Sequence, residues 1–229
     1  MNQNLNKLIA ICLVSIGLIQ FSFGQNRNFH VNLALGVGLS GFEIEDTGTD
    51  ELKRLFYPMT GLQFQKRINP KWAINIFPNV GMSGMTRTLS DPIANNITQV
   101  KTKSAFINLA IHSKYYINDN FYFCFGPEIG YLIWNYGSAF SDDRRLYNRK
   151  ETDNFNRVNL LLSSSLGFSK KIEESRKDAP VQIDVLLFLE LRFKKGITNI
   201  INNDLIEQDF STSINSIELV TGFSFGSKK

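Results

Sequence analysis

Large apolar residues occupy every second position along most of the chain after residue 28. The segment FHVNLALGVGL shows this most clearly, since its large apolar residues share one parity and its small or polar residues the other. A period of two indicates a β-strand whose two faces differ in polarity. An unbroken apolar face opposite small and polar groups fits a wall that separates lipid from a narrow, wet lumen.

The same alternation predicts eight strands in all. After the first strand, which covers 29–40, the others lie near 57–67, 72–86, 103–117, 121–136, 157–170, 181–195 and 213–225. An even number of such strands is typical of a closed antiparallel barrel, so we expect an all-β, eight-stranded, up-and-down transmembrane β-barrel. A soluble barrel such as a lipocalin is the alternative, and the long apolar faces of the first and seventh strands count against it.

The predicted connections alternate in length. Short ones lie at 67–71, 117–120 and 171–180, and long ones lie near 41–56, 87–101, 137–156 and 196–212. Short periplasmic turns, long external loops and two periplasmic termini are the arrangement expected of such a barrel.

Aromatic residues are expected in two belts at the membrane interfaces. The predicted periplasmic belt holds Phe29, Trp72, Tyr115, Phe121, Phe223 and Phe225. The predicted outer belt holds Phe56, Tyr57, Trp134, Tyr136 and Phe155.

Three prolines fall in or near the predicted strands, where each removes one donor from the hydrogen-bonded ladder. Pro58 fits the start of a strand. Pro78 and Pro127 predict β-bulges, or else strand boundaries that differ from those given above.

The first 24 residues have the order of a secretory signal peptide. Lys7 precedes the apolar run LIAICLVSIGLIQF, and the small residues Ser22 and Gly24 follow it. This predicts a signal peptide over 1–24, with cleavage after Gly24, and a barrel domain over 25–229. An uncleaved inner-membrane anchor is the alternative, although the run is shorter than the ~20 residues that a spanning helix needs.

Composition narrows the classes of function. The net charge of +4 comes from interspersed basic and acidic residues, which gives no stripe for nucleic acid. Of the two cysteines, Cys12 lies in the predicted signal peptide, so Cys124 would remain without a disulfide partner. No metal-ligand spacing occurs, and we expect neither a metal nor a cofactor.

Charged residues at inward-facing positions are the main candidate site. An eight-stranded barrel has an interior just wide enough to be filled by side chains, and charges buried there need partners. We therefore predict a lumen plugged by paired charges, with a narrow solute channel as the alternative. The inward charges are Arg67, Lys114, Glu128, Asp184, Glu190, Arg192, Lys194 and Glu218.

No motif for catalysis is present, and we expect a non-enzymatic protein. His30 and His112 both point inward by parity, and either polar filling of the lumen or a two-residue metal pair would explain them. The loop DDRRLYNRKETD at 142–153 is either a solvated loop or a contact for lipopolysaccharide phosphates through Arg144, Arg145, Arg149 and Lys150.

Several segments resemble the PorT-like outer membrane β-barrel domain family. They are VNLALGVGLSGF, GLQFQKRINPKWAINIFPNVGMSG, INLAIHSKYYINDNFYFCFGPEIGYLI, LLSSSLGFSKKI and IELVTGFSF. The resemblance implies a place in the cell outer membrane with its lipids as partners. It also permits an accessory role in type IX secretion or gliding, with secretion-system or envelope proteins as partners. One departure is the GSKK tail after Phe225. We expect a monomer whose role is structural or one of interaction, without nucleic acid.

Overall fold

The computed structural model describes residues 29–44, 51–91, 96–141, 144–150, 155–174, 182–199 and 212–228. Among these residues, no helix is long and apolar enough to cross a membrane. The signal peptide predicted over 1–24 lies outside the described residues and stays a prediction. The strands are β1 (Phe29–Ile44), β2 (Glu51–Arg67), β3 (Trp72–Asp91), β4 (Asn96–Tyr116), β5 (Phe121–Ser141), β6 (Arg144–Lys150), β7 (Val158–Glu174), β8 (Gln182–Gly196) and β9 (Thr212–Lys228).

Eight of the strands close into an antiparallel barrel, which confirms the predicted fold. Neighbours in sequence pair with one another from β1 to β5 and from β7 to β9, and β5 pairs directly with β7. The first and last strands close the wall, in a register that runs from His30 opposite Gly226 to Ile44 opposite Thr212. The barrel therefore has no open edge in its wall.

The short strand β6 stands outside this closed wall. It pairs with the last residues of β5, from Tyr136 opposite Lys150 to Ser141 opposite Arg144. The loop predicted over 137–156 is wrong to that extent, because much of it is a hairpin that prolongs β5.

Several strands are also longer than their alternation predicts. β4 and β5 have 21 residues each, about twice the 9–11 that a membrane-spanning strand needs. Much of the loops predicted near 41–56 and 87–101 is therefore strand. Beyond the hydrocarbon layer neither face has to be apolar, so the alternation fades while the backbone pairing continues.

The two ends of the barrel differ, and we name them by that difference. The turn rim holds the tight turns at 68–71 and 117–120, together with the start of β1 and the end of β9. The long-strand rim is the opposite end, where β4, β5 and β6 continue beyond the wall. By the usual arrangement of such barrels, the turn rim is expected to face the periplasm.

Along the wall, the predicted parity holds. Leu35 is 55% exposed whereas its neighbour Ala34 is fully buried. Outward-facing side chains form one continuous apolar surface, which is the face expected to contact lipid. Exposed apolar residues from different strands include Leu33, Leu62, Ile76, Ile111, Phe125, Leu160, Leu191 and Leu219.

The prolines do not act as predicted. Pro58 lies inside β2 rather than at its start, and the pairing of β2 with β3 is interrupted and shifts register between Arg54 and Met59. Next to Pro78 and Pro127 the ladder is also interrupted on one side, but it resumes in the same register. The bulges predicted at these two positions are therefore wrong, whereas Pro58 lies at one of the register shifts of the described strands.

Candidate functional site: the lumen

Five charged side chains meet in the middle of the lumen, which we call the central ion network. Arg192 donates to Glu190 at 2.7 Å, and Lys194 donates to Glu128 at 2.8 Å. Glu218 joins the two pairs, since it lies 3.0 Å from Lys194 and 3.9 Å from Arg192. All five side chains are at most 5% exposed. A network this deeply buried is stable only while each charge keeps its partners.

The sequence of β8 explains how the network forms. Glu190, Arg192 and Lys194 share one parity and point inward, while the residues between them are apolar and face lipid. Arg192 is paired across the ladder with Glu218 of β9, and directly opposed residues lie on the same face of a sheet. Glu128 reaches Lys194 from β5, past the intervening strand β7.

Two buried tyrosines donate hydrogen bonds to two of the carboxylates. Tyr57 donates its hydroxyl to Glu218 at 2.6 Å, and Tyr122 donates to Glu190 at 2.9 Å. The outer belt predicted for Tyr57 is wrong, because its side chain is only 5% exposed and points into the lumen. Its parity, shared with the inward Gln63 on β2, was the signal for this position.

A second layer of cations lies nearer the turn rim. The Lys114 ammonium donates to Gln65 at 3.0 Å and lies 3.4 Å from the centre of the Tyr122 ring. The Arg67 guanidinium lies 4.3 Å from the centre of the Tyr116 ring. Among the described residues, neither cation has a carboxylate within 4.0 Å. Aromatic faces and an amide therefore take the place of anions in this layer.

The predicted charge network is thus brought together only in part. Glu128, Glu190, Arg192 and Glu218 meet in the central ion network, and Lys194 with them. Asp184 lies outside the central ion network, near the turn rim, where it forms an ion pair with Lys171 at 2.9 Å. Arg67 and Lys114 lie in the second cation layer.

Apolar side chains also fill the lumen, which the polar parity of the inner face did not predict. The Arg192 guanidinium carbon lies 4.6 Å from the centre of the Phe77 ring. One cluster contains Ala34, Tyr57, Met59, Phe77, Ala110, Phe188 and Val220. A second cluster, toward the long-strand rim, contains Phe106, Leu132, Leu161 and Ile214, with Phe155 packed against it rather than placed in the outer belt. The plug is therefore layered, with charge and apolar side chains in contact.

A small cavity adjoins the network. Its volume is about 30 Å³, and it is lined by the network residues Glu128, Lys194 and Glu218 and by residues of the second apolar cluster. A volume of this size is enough for water.

The two histidines lie on the inner face, as their parity indicated. His112 is hydrogen-bonded to Ser163, and both side chains are buried. His30 lies 3.5 Å from the Ser224 hydroxyl, near the turn rim. In the described ranges, no group of three His, Cys, Asp or Glu side chains is arranged to hold a metal ion.

Comparisons with known proteins agree with this architecture. Residues 21–202 match a family model described as an outer membrane protein beta-barrel domain. No curated protein sequence matches the chain.

Three solved barrels illustrate the structural similarity, and all are distant in sequence. Ail of Yersinia pestis, solved with the heparin analogue sucrose octasulfate, is 11% identical, with a TM-score of 0.39 over 86% of this chain and 99% of that chain. OprG of Pseudomonas aeruginosa is 12% identical, with a TM-score of 0.41 over 89% and 97%. Neisserial surface protein A is 11% identical, with a TM-score of 0.40 over 86% and 95%.

Proposed function

Since the chain belongs to the outer membrane protein β-barrel domain family, we propose that it is a closed, non-enzymatic barrel with a structural or interaction role. Its working surfaces are the outer wall and the strands that extend beyond it, and its lumen does not conduct. The central ion network, held between apolar side chains across the lumen, carries this proposal.

Passage of a solute would require the network to separate. Breaking a buried ion pair costs about 3–5 kcal/mol when one charge is left without its partner. Lys194 contacts two glutamates and Arg192 contacts two, so opening the lumen would break several such contacts together. This argument favours a plug over the narrow solute channel.

The long strands support an interaction role. β6 pairs with β5 along one edge, and no described strand covers its other edge. A free strand edge presents backbone donors and acceptors to which a partner's strand can add. This observation also favours the second candidate, an accessory role in a type IX secretion or gliding machinery.

Conductance in planar lipid bilayers tests the plug. We expect the folded protein to give no current above the baseline. The double variant Arg192→Ala and Phe77→Ala, which removes two stacked side chains from the lumen, should give measurable openings and serves as the positive control. A steady current from the unmodified protein, equal to that of the variant, would show that the lumen conducts.

Affinity purification from native outer membranes tests the accessory role. A secretion or gliding component should bring a reproducible envelope protein with it. Removing the β6 hairpin by a short turn between Tyr136 and Phe155 should abolish that association while heat-modifiable mobility on a gel is kept. A barrel that is always recovered alone would argue for the purely structural role.

A further inference from the structure

We infer that the outer wall at the long-strand rim binds the phosphate groups of outer-leaflet glycolipids. The proposed site is the lysine wall, which consists of Lys53, Lys101, Lys103 and Lys150. The inference rests on the proposed function, in which the strands beyond the wall are a working surface, and it requires the long-strand rim to face the outer leaflet.

Strand pairing places the four lysines on one face. Lys53 and Lys101 are both paired with Thr86, from its two sides. In the next row, Lys103 and Lys150 are both paired with Tyr136. Directly opposed residues of neighbouring strands share a face of the sheet.

That shared face is the outer one. On β4, Lys101 and Lys103 have the parity of the exposed residues Ile107 and Leu109. Lys53, Lys103 and Lys150 are exposed, and Lys101 is half-buried. The lysine wall therefore lies on the outside of the barrel, where it continues the lipid-facing surface toward the long-strand rim.

Aromatic side chains indicate where this surface lies relative to the lipid headgroups. Trp134 and Tyr136 contact each other edge to face, with ring centres 5.4 Å apart, and Tyr136 lies in the same row as two of the lysines. Phe56, on β2, is 69% exposed. Exposed aromatic residues of this kind settle at the level of lipid headgroups. The ammonium groups thus lie where the phosphates of a glycolipid lie.

Basic residues outnumber acidic ones among the described residues of this rim. The strand ends there carry the acidic Glu43, Glu51 and Asp91, and they also carry eight basic side chains at exposed or half-buried positions. These side chains are Lys53, Arg54, Arg87, Lys101, Lys103, Lys150, Arg157 and Lys195. At the turn rim, the acidic Asp119 and Asp184 likewise lie among basic residues.

The spacing suits a ligand with more than one phosphate. Neighbouring strands lie about 4.8 Å apart, so lysines two strands apart are attached roughly 10 Å from each other. Residues two positions apart on one strand, such as Lys101 and Lys103, are separated by about 7 Å. Flexible lysine stems can converge from these distances on a diphosphorylated sugar headgroup.

Binding of lipid A that carries both phosphates tests the site, with the folded full chain in detergent micelles. The triple variant Lys101→Gln, Lys103→Gln and Lys150→Gln should bind it about tenfold to a hundredfold more weakly, since each lysine near such a surface contributes about 1 kcal/mol. The matched control removes three exposed lysines from the turn rim, by Lys66→Gln, Lys71→Gln and Lys170→Gln. It should bind like the unmodified protein.

Two further binding measurements test whether the phosphate groups of the lipid are what the site recognises. Fully dephosphorylated lipid A should bind at least tenfold more weakly than the phosphorylated form, and millimolar inorganic phosphate should not compete. Equal binding of the two lipids, or equal losses in the two triple variants, would overturn the proposal. Competition by inorganic phosphate would show a site for free phosphate instead, and would also overturn it.

These outcomes are independent of the conductance test. A barrel that conducts, yet loses lipid A binding only in the Lys101, Lys103 and Lys150 variant, would contradict the plug and support the lysine wall. Heat-modifiable mobility on a gel verifies that each variant is folded before its binding is measured.

Discussion

The lumen buries cations in two layers that are neutralised in different ways. In the central ion network, Arg192 and Lys194 contact three glutamates. In the layer nearer the turn rim, Lys114 contacts the Gln65 amide and the Tyr122 ring. Loss of a cation from the first layer leaves carboxylates without a direct partner, whereas the direct contacts of Lys114 in the second layer are with neutral groups. Burial alone therefore does not determine how much a charge matters to stability.

The largest effect is expected from Arg192→Met. Glu190 then keeps only the Tyr122 hydroxyl, and Glu218 keeps only Lys194 and Tyr57. We expect the free energy of unfolding to fall by about 3–5 kcal/mol, measured by urea denaturation of protein folded into lipid vesicles. Arg192→Lys keeps the charge and should cost less. A loss below about 1 kcal/mol for Arg192→Met would remove the distinction between the two layers.

A smaller loss of stability is expected from Tyr122→Phe. Tyr122 contacts both layers, so this substitution tests whether the two layers are linked. The substitution keeps the ring beside Lys114 and removes the hydroxyl that donates to Glu190. We expect a loss of about 1–3 kcal/mol, since a buried acceptor loses one donor. In a double-mutant cycle, Tyr122→Phe and Arg192→Met should be coupled through Glu190. Strict additivity of the two losses would contradict that link.

The smallest effect is expected from Lys114→Met. It removes an ammonium that has no described carboxylate partner, and it leaves the Gln65 carbonyl oxygen without its donor. A loss of about 1 kcal/mol should result, from the cation–π contact and this one hydrogen bond. The same urea titration measures it. A loss as large as that of Arg192→Met would mean that Lys114 is coupled to the glutamates over a longer distance.

Much of the wall could be predicted from the sequence, because strand geometry fixes which residues share a face. Leu35 and Ala34 lie on the predicted sides, and so do Glu190, Arg192 and Glu218. The alternation along a strand predicts only that a side chain points into the lumen. Which side chains it contacts there depends on how the strands are aligned with one another around the barrel. Lys194 finds Glu128 past β7, and nothing in the local sequence of either strand indicates that contact.

Aromatic residues and strand ends were predicted less well, each for a physical reason. Tyr57 is inward by parity, but the sequence predicts it in the outer belt because aromatic residues also suit membrane interfaces. The ends of β4 and β5 leave the hydrocarbon layer, where the apolar alternation that reveals a strand is no longer needed. Beyond that layer, the ends of β4 and β5 are held by backbone pairing, which produces no hydrophobic pattern in the sequence.

The pairing of β1 with β9 also sets the order of events during assembly. Because the first strand needs the last one as its neighbour, the wall cannot close before the C-terminal residues have arrived. Glu218 belongs to that last strand, and it meets Tyr57 of β2 and Lys194 of β8. Closure of the wall and completion of the ion network therefore both need β9. A chain truncated before β9 would lack the closing strand, and Lys194 and Arg192 would each have one carboxylate fewer.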